Sequence, residues 1–318
     1  MKKSDICVGD TDDFSVRQKI SSKCFEPILI SVLALAVSGA ACGGSDKKDD
    51  DPEDVDSGIV VSDAGIVEKD AGIIEDDAGS GDENVGYISI PAGSFTLSHD
   101  TGTYSSGDTV SLGAFALKKT PVTVAEFEKC VAAKKCTSEH YKTVSDDDYC
   151  NYNRGDDWKN HPMNCIDWDG AKEYCEWIGG RLPSEEEWEY AATHNGTRHL
   201  DTTYPWGDDA PTHCVSAQYY RSSTGRYCQG NAAAPMSNDE RDGTSDVSLH
   251  SPAGDSPLGL VDMLGNVWEW TSSFYSDGSP HAFKGASWVI NEFFLSFSHR
   301  DGAGPAYTSN DVGVRCAK

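Results

Sequence analysis

Hydrophobic and polar positions change their rhythm along the chain. Between residues 87 and 117 they tend to alternate: Tyr87 to Pro91 (YISIP), then Gly93 and Phe95 to Leu97, and again Thr109 to Leu117. A period of two puts every second side chain on one face of a strand, so these segments predict extended structure that opens as a β-hairpin. From residue 123 the period becomes helical. Thr123 can cap a helix with Phe127, Cys130 and Val131 on its apolar face. Asp167 precedes a second stripe, Trp168, Ala171, Tyr174, Cys175 and Ile178, stopped by Gly179 and Gly180. Pro183, then Ser184 with Glu187 three residues on, is the reciprocal capping signature of a third helix that would bury Trp188, Ala191 and Ala192. After residue 194 Gly, Pro, Asn, Asp and aromatic residues dominate, with short strand-like pieces in GLVDML, NVWEWT, AFKGASWVI and VGVRCA. Few helices, short strands and long loops predict an α+β domain rich in irregular structure. Trp206, Trp268, Trp270 and Trp288 are expected to anchor its core rather than stack nucleic-acid bases, because basic residues are scarce around them. His194 and His199, either side of Asn195 and Gly196 at a helix end, are expected to be solvated rather than metal-bound.

The first 85 residues follow another pattern. Pro27 to Ala41 is a 15-residue run without charge behind Arg17, Lys19 and Lys23, the layout of a secretory apolar region. At ~1.5 Å per residue it is short for a bilayer core of ~30 Å. Small residues Ser38 to Ala41 lead into Cys42, so residues 1–41 resemble a bacterial lipoprotein signal peptide and Cys42 its lipidated residue. Ordinary secretion and a short anchor are the lesser alternatives. Within residues 42–85 the chain reads DSGIVVS, DAGIVEK, DAGIIED, DAGSG, a seven-residue period with Gly in every copy. Gly costs about 1 kcal/mol per helical position, which argues against a coiled coil. Residues 43–85 carry 3 basic against 15 acidic side chains, so self-repulsion favours an extended spacer over a calcium-binding repeat. Residues 86–318 remain as the folded domain.

Composition narrows the partners. The 318 residues hold 26 Lys and Arg against 52 Asp and Glu, a net charge of -26, which argues against nucleic acid and against a basic membrane-surface role. Of 11 cysteines, Cys7, Cys24 and Cys42 lie in or at the end of the leader. The other eight are Cys130, Cys136, Cys150, Cys165, Cys175, Cys214, Cys228 and Cys316. An even number suits four disulfides in an exported protein, and no Cys-x-x-Cys or closely spaced Cys and His cluster competes for them.

The segments PAGSF, TPVTVAEFEKC, NCIDWDGAKEYCEWIGGRLPSEEEWEYAA, YPWGDD, GLVDMLGNVWEWTS, KGASWV and VGVRCAK together resemble the formylglycine-generating enzyme, or sulfatase-modifying factor, domain family over about residues 87–318. The resemblance implies an elaborated C-type-lectin-like α+β fold. It implies a disulfide between Cys175 and Cys316, leaving Cys130 with Cys136, Cys150 with Cys165 and Cys214 with Cys228 as local candidates. It also implies a structural Ca2+ held by Asp262, Gly265, Val267 and Glu269, where hard oxygen donors meet at a glycine turn. A strand-turn with solvated acids is the competing reading.

Enzymes of that family oxidise a sulfatase cysteine to formylglycine with Cu(I) held by two cysteines after a Gly-Gly-Ser motif. Laid on GASWVINEFFLSF, that segment puts Ile290 and Leu295 where the two cysteines belong, so no copper is expected and the domain reads as a pseudoenzyme. Lectin-like relatives display ligand-binding residues just before the terminal strand, here Asn291 to Asn310. A protein, peptide or glycan is therefore the expected ligand, with Ser287, Asn291, His299, Arg300 and Tyr307 as candidate contacts. Ser287 also reads as a backbone hydrogen-bonder, and Phe293 and Phe297 read equally well as core. The alternative is an oxidoreductase of the same family with an altered metal site, acting on a cysteine or other sulfur substrate. The whole reading is a monomeric, disulfide-stapled lipoprotein of the cell envelope, held to a membrane through Cys42 and facing the periplasm or cell surface.

Overall fold

The computed structural model describes residues 86–211, 214–222, 226–228, 243–276 and 278–318. The leader, Cys42 and the acidic repeat, on which the anchor and spacer expectations rest, lie outside the described residues.

Four N-terminal strands pair in a nested order. β1 (Tyr87–Ile90) runs antiparallel to β4 (Phe115–Lys118), and β2 (Gly93–Thr96) runs antiparallel to β3 (Thr109–Leu112). The hairpin expected to open at residue 87 is therefore not β1 on β2. Pro91 gives the reason: it has no N–H to continue a ladder, so the chain bends between the strands and β2 pairs onward. Ile90, Phe95, Val110 and Leu117 are all buried.

The three helices begin where the sequence predicts. Thr123 caps α1 (Val124–Ala132) by accepting the Glu126 N–H, while the Glu126 carboxylate accepts the Thr123 N–H. Asp167 caps α2 (Trp168–Trp177) by accepting from the Gly170 N–H. Ser184 and Glu187 cap α3 (Glu185–Thr193) reciprocally. Each such cap satisfies backbone groups that would otherwise be orphaned and contributes about 1 kcal/mol.

β5 (Tyr220–Arg221) and β6 (Arg226–Tyr227) form a short antiparallel pair. The principal sheet is built from β7 (Trp268–Phe274), β8 (His281–Lys284), β9 (Arg300–Ala303) and β10 (Val312–Gly313) in the order β10-β7-β8-β9. β10 is parallel to β7 and the other pairs are antiparallel. GLVDML is buried but forms no strand, because Asp262 has a positive φ of 53° that breaks the extended run. β9 went unpredicted because its sequence, RDGA, carries Asp and Gly; pairing to β8, not local preference, extends it.

Four disulfides cross-link these pieces: Cys130–Cys136, Cys150–Cys165, Cys175–Cys316 and Cys214–Cys228. The third ties α2 to the C-terminal segment across 141 residues. Trp268, Trp270 and Trp288 are buried and Trp206 is partly buried against the core. No helix among the described residues is long and apolar enough to cross a membrane.

Candidate functional site

β8 ends at Gly285, with φ +101°, where an added Cβ would stand 3.1 Å from the Met263 carbonyl and from the Trp188 ring. Only a residue without Cβ lets the chain turn there under α3. The next segment, residues 286–299, leads from β8 back to β9. Ser287 is fully buried, and its hydroxyl donates to Asp311 at 2.9 Å. The Ser309 hydroxyl donates to the other Asp311 oxygen. Burial raises the Asp311 pKa, against the pull of these two hydroxyls. Ser287 is thus a buried hydrogen-bond donor and is not displayed to a ligand.

Ile290 and Leu295 are the residues expected to stand where the copper cysteines belong. Leu295 is buried in the core and Ile290 packs partly buried against it. All eight cysteines of residues 86–318 are in disulfides, so none of them offers a thiolate to a soft metal.

Between these two anchors the loop turns apolar surface outward. Phe293 is 79% exposed and Phe294 54%, whereas Phe297 is buried. Of the two phenylalanines read equally as core, only Phe297 belongs there. The Asn291 side chain accepts the Phe293 N–H at 3.0 Å. The His299 ring sits edge-on to Phe294 and to Trp268, and its Nδ1–H donates to the Phe294 carbonyl at 2.8 Å. Asn291 and His299 therefore shape the loop that presents the two phenylalanines. Tyr307 is exposed on the following loop. Arg300 is committed elsewhere: its guanidinium grips both oxygens of Glu185 at 2.6 and 2.9 Å and lies over the Tyr275 ring.

That ion pair belongs to a buried charged cluster that sequence reasoning missed. Glu185 and Glu189 of α3 and Lys284 of β8 are essentially inaccessible, and the Lys284 ammonium lies 3.3 Å from Glu189 and 3.7 Å from Glu185. His99 reaches in between both carboxylates. Burial would raise the Glu185 pKa, but hydrogen bonds from His99 and Arg300 and the charge of Lys284 outweigh it and hold it down at about 2. One signal was available. Glu185, Trp188, Glu189 and Ala192 share a helical face at spacings of three and four, so a buried Trp188 brings the glutamates with it. His194 and His199 are likewise packed rather than solvated, as His194 is buried and the His199 ring stacks on Tyr190 and lies against Phe95.

The residues expected to bind calcium meet at the turn before β7. Asp262 is buried and accepts the Ser248 N–H at 3.1 Å. Burial raises its pKa to about 6, against the Ser248 hydrogen bond and the nearby Arg315 charge. Glu269 accepts from the Trp188 indole at 2.6 Å and from Arg315 at 2.7 and 2.9 Å. The Arg315 guanidinium also donates to the carbonyls of Lys118, Lys119 and Val261. Gly265 turns with φ +79° and an added Cβ would strike the Gln218 carbonyl, while Val267 is buried. The Glu269 carboxylate, expected as a ligand, is occupied by a guanidinium and an indole N–H, whereas the Asp262 carboxylate accepts one backbone N–H.

Comparison with known proteins agrees with this architecture. The model of the sulfatase-modifying factor enzyme 1-like domain matches residues 75–318. A Bos taurus protein named inactive C-alpha-formylglycine-generating enzyme 2 is 36% identical over 164 residues, 49% of this chain and 50% of the bovine protein. The Mus musculus formylglycine-generating enzyme is 31% identical over 180 residues, 50% of this chain and 44% of the mouse protein. The chain thus spans about half the length of each relative. Among solved structures, PvdO from Pseudomonas aeruginosa superposes with a TM-score of 0.52 at 23% identity, covering 73% of this chain and 93% of that one, which shows a shared fold. The C-type-lectin-like α+β architecture, the four disulfides and the family match agree, and the chain belongs to the sulfatase-modifying factor enzyme 1-like domain family.

Proposed function

We propose that this domain is a non-catalytic member of its family that binds a protein, peptide or glycan through the loop between β8 and β9, displayed on the cell envelope by a lipid anchor at Cys42. The observation that carries the reading is chemical: Ile290 and Leu295, which stand where copper cysteines are expected, pack in or against the apolar core, and every cysteine of residues 86–318 is consumed in a disulfide. Oxidation of a peptide thiol through Cu(I) needs soft thiolate ligands that these residues do not supply. Likeness to a relative named as inactive supports the same conclusion. Phe293 and Phe294, exposed side by side on a loop braced by Asn291 and His299, supply apolar contact area of the kind that carries binding energy. The exported, oxidised full-length chain should bind saturably to a subset of features on peptide and glycan arrays. The double substitution Phe293→Ser with Phe294→Ser should remove that binding and leave the unfolding midpoint unchanged. Array binding that is indifferent to both substitutions would place the ligand elsewhere.

A further inference from the structure

α3 ends in a tight hairpin that holds the chain's one Asn-Gly pair, Asn195 and Gly196. The Asn195 N–H donates to the Arg198 carbonyl and the Leu200 N–H to that of Thr193, and His194 bridges to His199, so residues 195–198 form the turn. Gly196 takes a φ of +87°, which only glycine adopts freely at such a bend. Asn195 to Arg198 are exposed, whereas His194 at the foot of the turn is buried.

Three hydrogen bonds arrange this turn for chemistry on its own amide. The Gly196 N–H donates to His194 Nδ1 at 2.9 Å, so Nδ1 offers a lone pair and the ring is the neutral tautomer with its proton on Nε2. Burial lowers the His194 pKa and favours that neutral form. The Thr197 and Arg198 N–H groups both donate to Asn195 Oδ1 at 3.0 Å. A base therefore rests on the backbone N–H that can close a ring on the Asn195 side chain, and two donors polarise the carbonyl it would attack. We propose that residues 194–198 form a self-modification site at which Asn195 deamidates through a cyclic imide, with His194 as general base and the Thr197 and Arg198 N–H groups as the oxyanion hole.

The Gly196 nitrogen gives its proton to His194 Nδ1 as it bonds to Asn195 Cγ, and the charge that develops on Oδ1 falls on the two N–H groups. The imidazolium returns that proton to the side-chain nitrogen, which leaves as ammonia when its bond to Cγ breaks. Water then opens the imide at either carbonyl, leaving an aspartyl or an isoaspartyl residue at position 195. Either product puts a negative charge at the C-terminal end of α3, where the helix carbonyls already concentrate negative potential. The change loosens the end of the helix as the protein ages. No residue of the β8–β9 loop takes part, so the site stands or falls independently of the binding reading above.

Among the described residues, the titratable groups facing His194 are Tyr190 of α3, whose ring lies 4.7 Å from its own, and His199 across the hairpin. Neither is an anion near neutral pH, so neither holds a proton on the ring. The test is peptide mass spectrometry of the full-length, oxidised chain aged at neutral pH, with the reduced, guanidinium-unfolded chain aged alongside. Asn195 should convert to the imide and its two hydrolysis products faster in the folded chain than in the unfolded one. His194→Asn keeps an acceptor for the Gly196 N–H but no base, and should slow conversion in the folded chain about 100-fold. In the wild-type chain the rate should level off through neutral pH once the imidazole is neutral, a profile that needs no variant. Conversion no faster in the folded wild-type chain than in the unfolded one overturns the proposal, as does a rate that climbs in proportion to hydroxide. So does a folded His194→Asn chain that deamidates at the wild-type rate.

Discussion

Glu185 and Asp262 are both buried carboxylates, yet one stands among cations and the other is dominated by burial. The folded pKa of Glu185 is about 2 against an ordinary 4.5, because His99, Arg300 and Lys284 outweigh burial. A depressed carboxylate supplies stability that is complete above its unfolded pKa and is lost as pH falls through the folded one. Glu185 should therefore stabilise the fold by ~3 kcal/mol near neutral pH and lose that contribution between about pH 4.5 and pH 2. Glu185→Gln should lower the urea midpoint at neutral pH and flatten the acid limb of the stability profile. Asp262 has the opposite sign. Its pKa is raised by burial from 3.8 to about 6, so its favourable contribution is present below pH 3.8 and is lost as pH rises through 6. Asp262→Asn keeps an acceptor for the Ser248 N–H and should raise stability at neutral pH by roughly 2–3 kcal/mol. If a calcium ion did bind this carboxylate, the same variant would instead lose stability, and only when Ca2+ is present. The caps at Thr123, Asp167 and Ser184 were legible because a cap and its target lie within three residues. The charged cluster was not, since His99, Glu185, Lys284 and Arg300 meet only through the tertiary fold.

Among the elements, α2 and the C-terminal segment depend most on their covalent link. Cys175–Cys316 closes a loop across 141 residues, and by chain entropy such a bridge contributes about 5 kcal/mol. Cys130–Cys136 spans only six residues and should contribute about 2 kcal/mol on the same basis. Replacing both members of each pair with Ser and measuring urea unfolding should reproduce that order. A larger loss from the short bridge would show that it acts by holding the Glu139–His140 loop rather than by restricting the unfolded chain. At this scale the helices were readable and several strands were not. Hydrophobic periodicity marks a helix by itself, but the nested β1–β4 and β2–β3 pairing was hidden behind Pro91, and β9 is extended only because β8 offers it a partner.

For the whole molecule, the fold was legible because its motifs are long and ordered along the chain, from the helix cap at Ser184 to the Arg315 that locks Glu269. The site was legible mainly as an absence. Sequence could say that Ile290 and Leu295 stand where copper cysteines are expected; it could not say that Ser287 and Arg300 face inward while Phe293 and Phe294 face out. Burial of a polar residue depends on partners far away in sequence, and a loop's outward face depends on what braces it. The most direct test of the non-catalytic reading is to incubate the exported full-length chain with Cu(I), oxygen and a sulfatase-derived cysteine peptide. An active formylglycine-generating enzyme serves as control, and the peptide is followed by mass spectrometry. The account predicts that the cysteine stays intact at copper concentrations that saturate the control. Conversion of the cysteine to formylglycine, dependent on this chain, would contradict it.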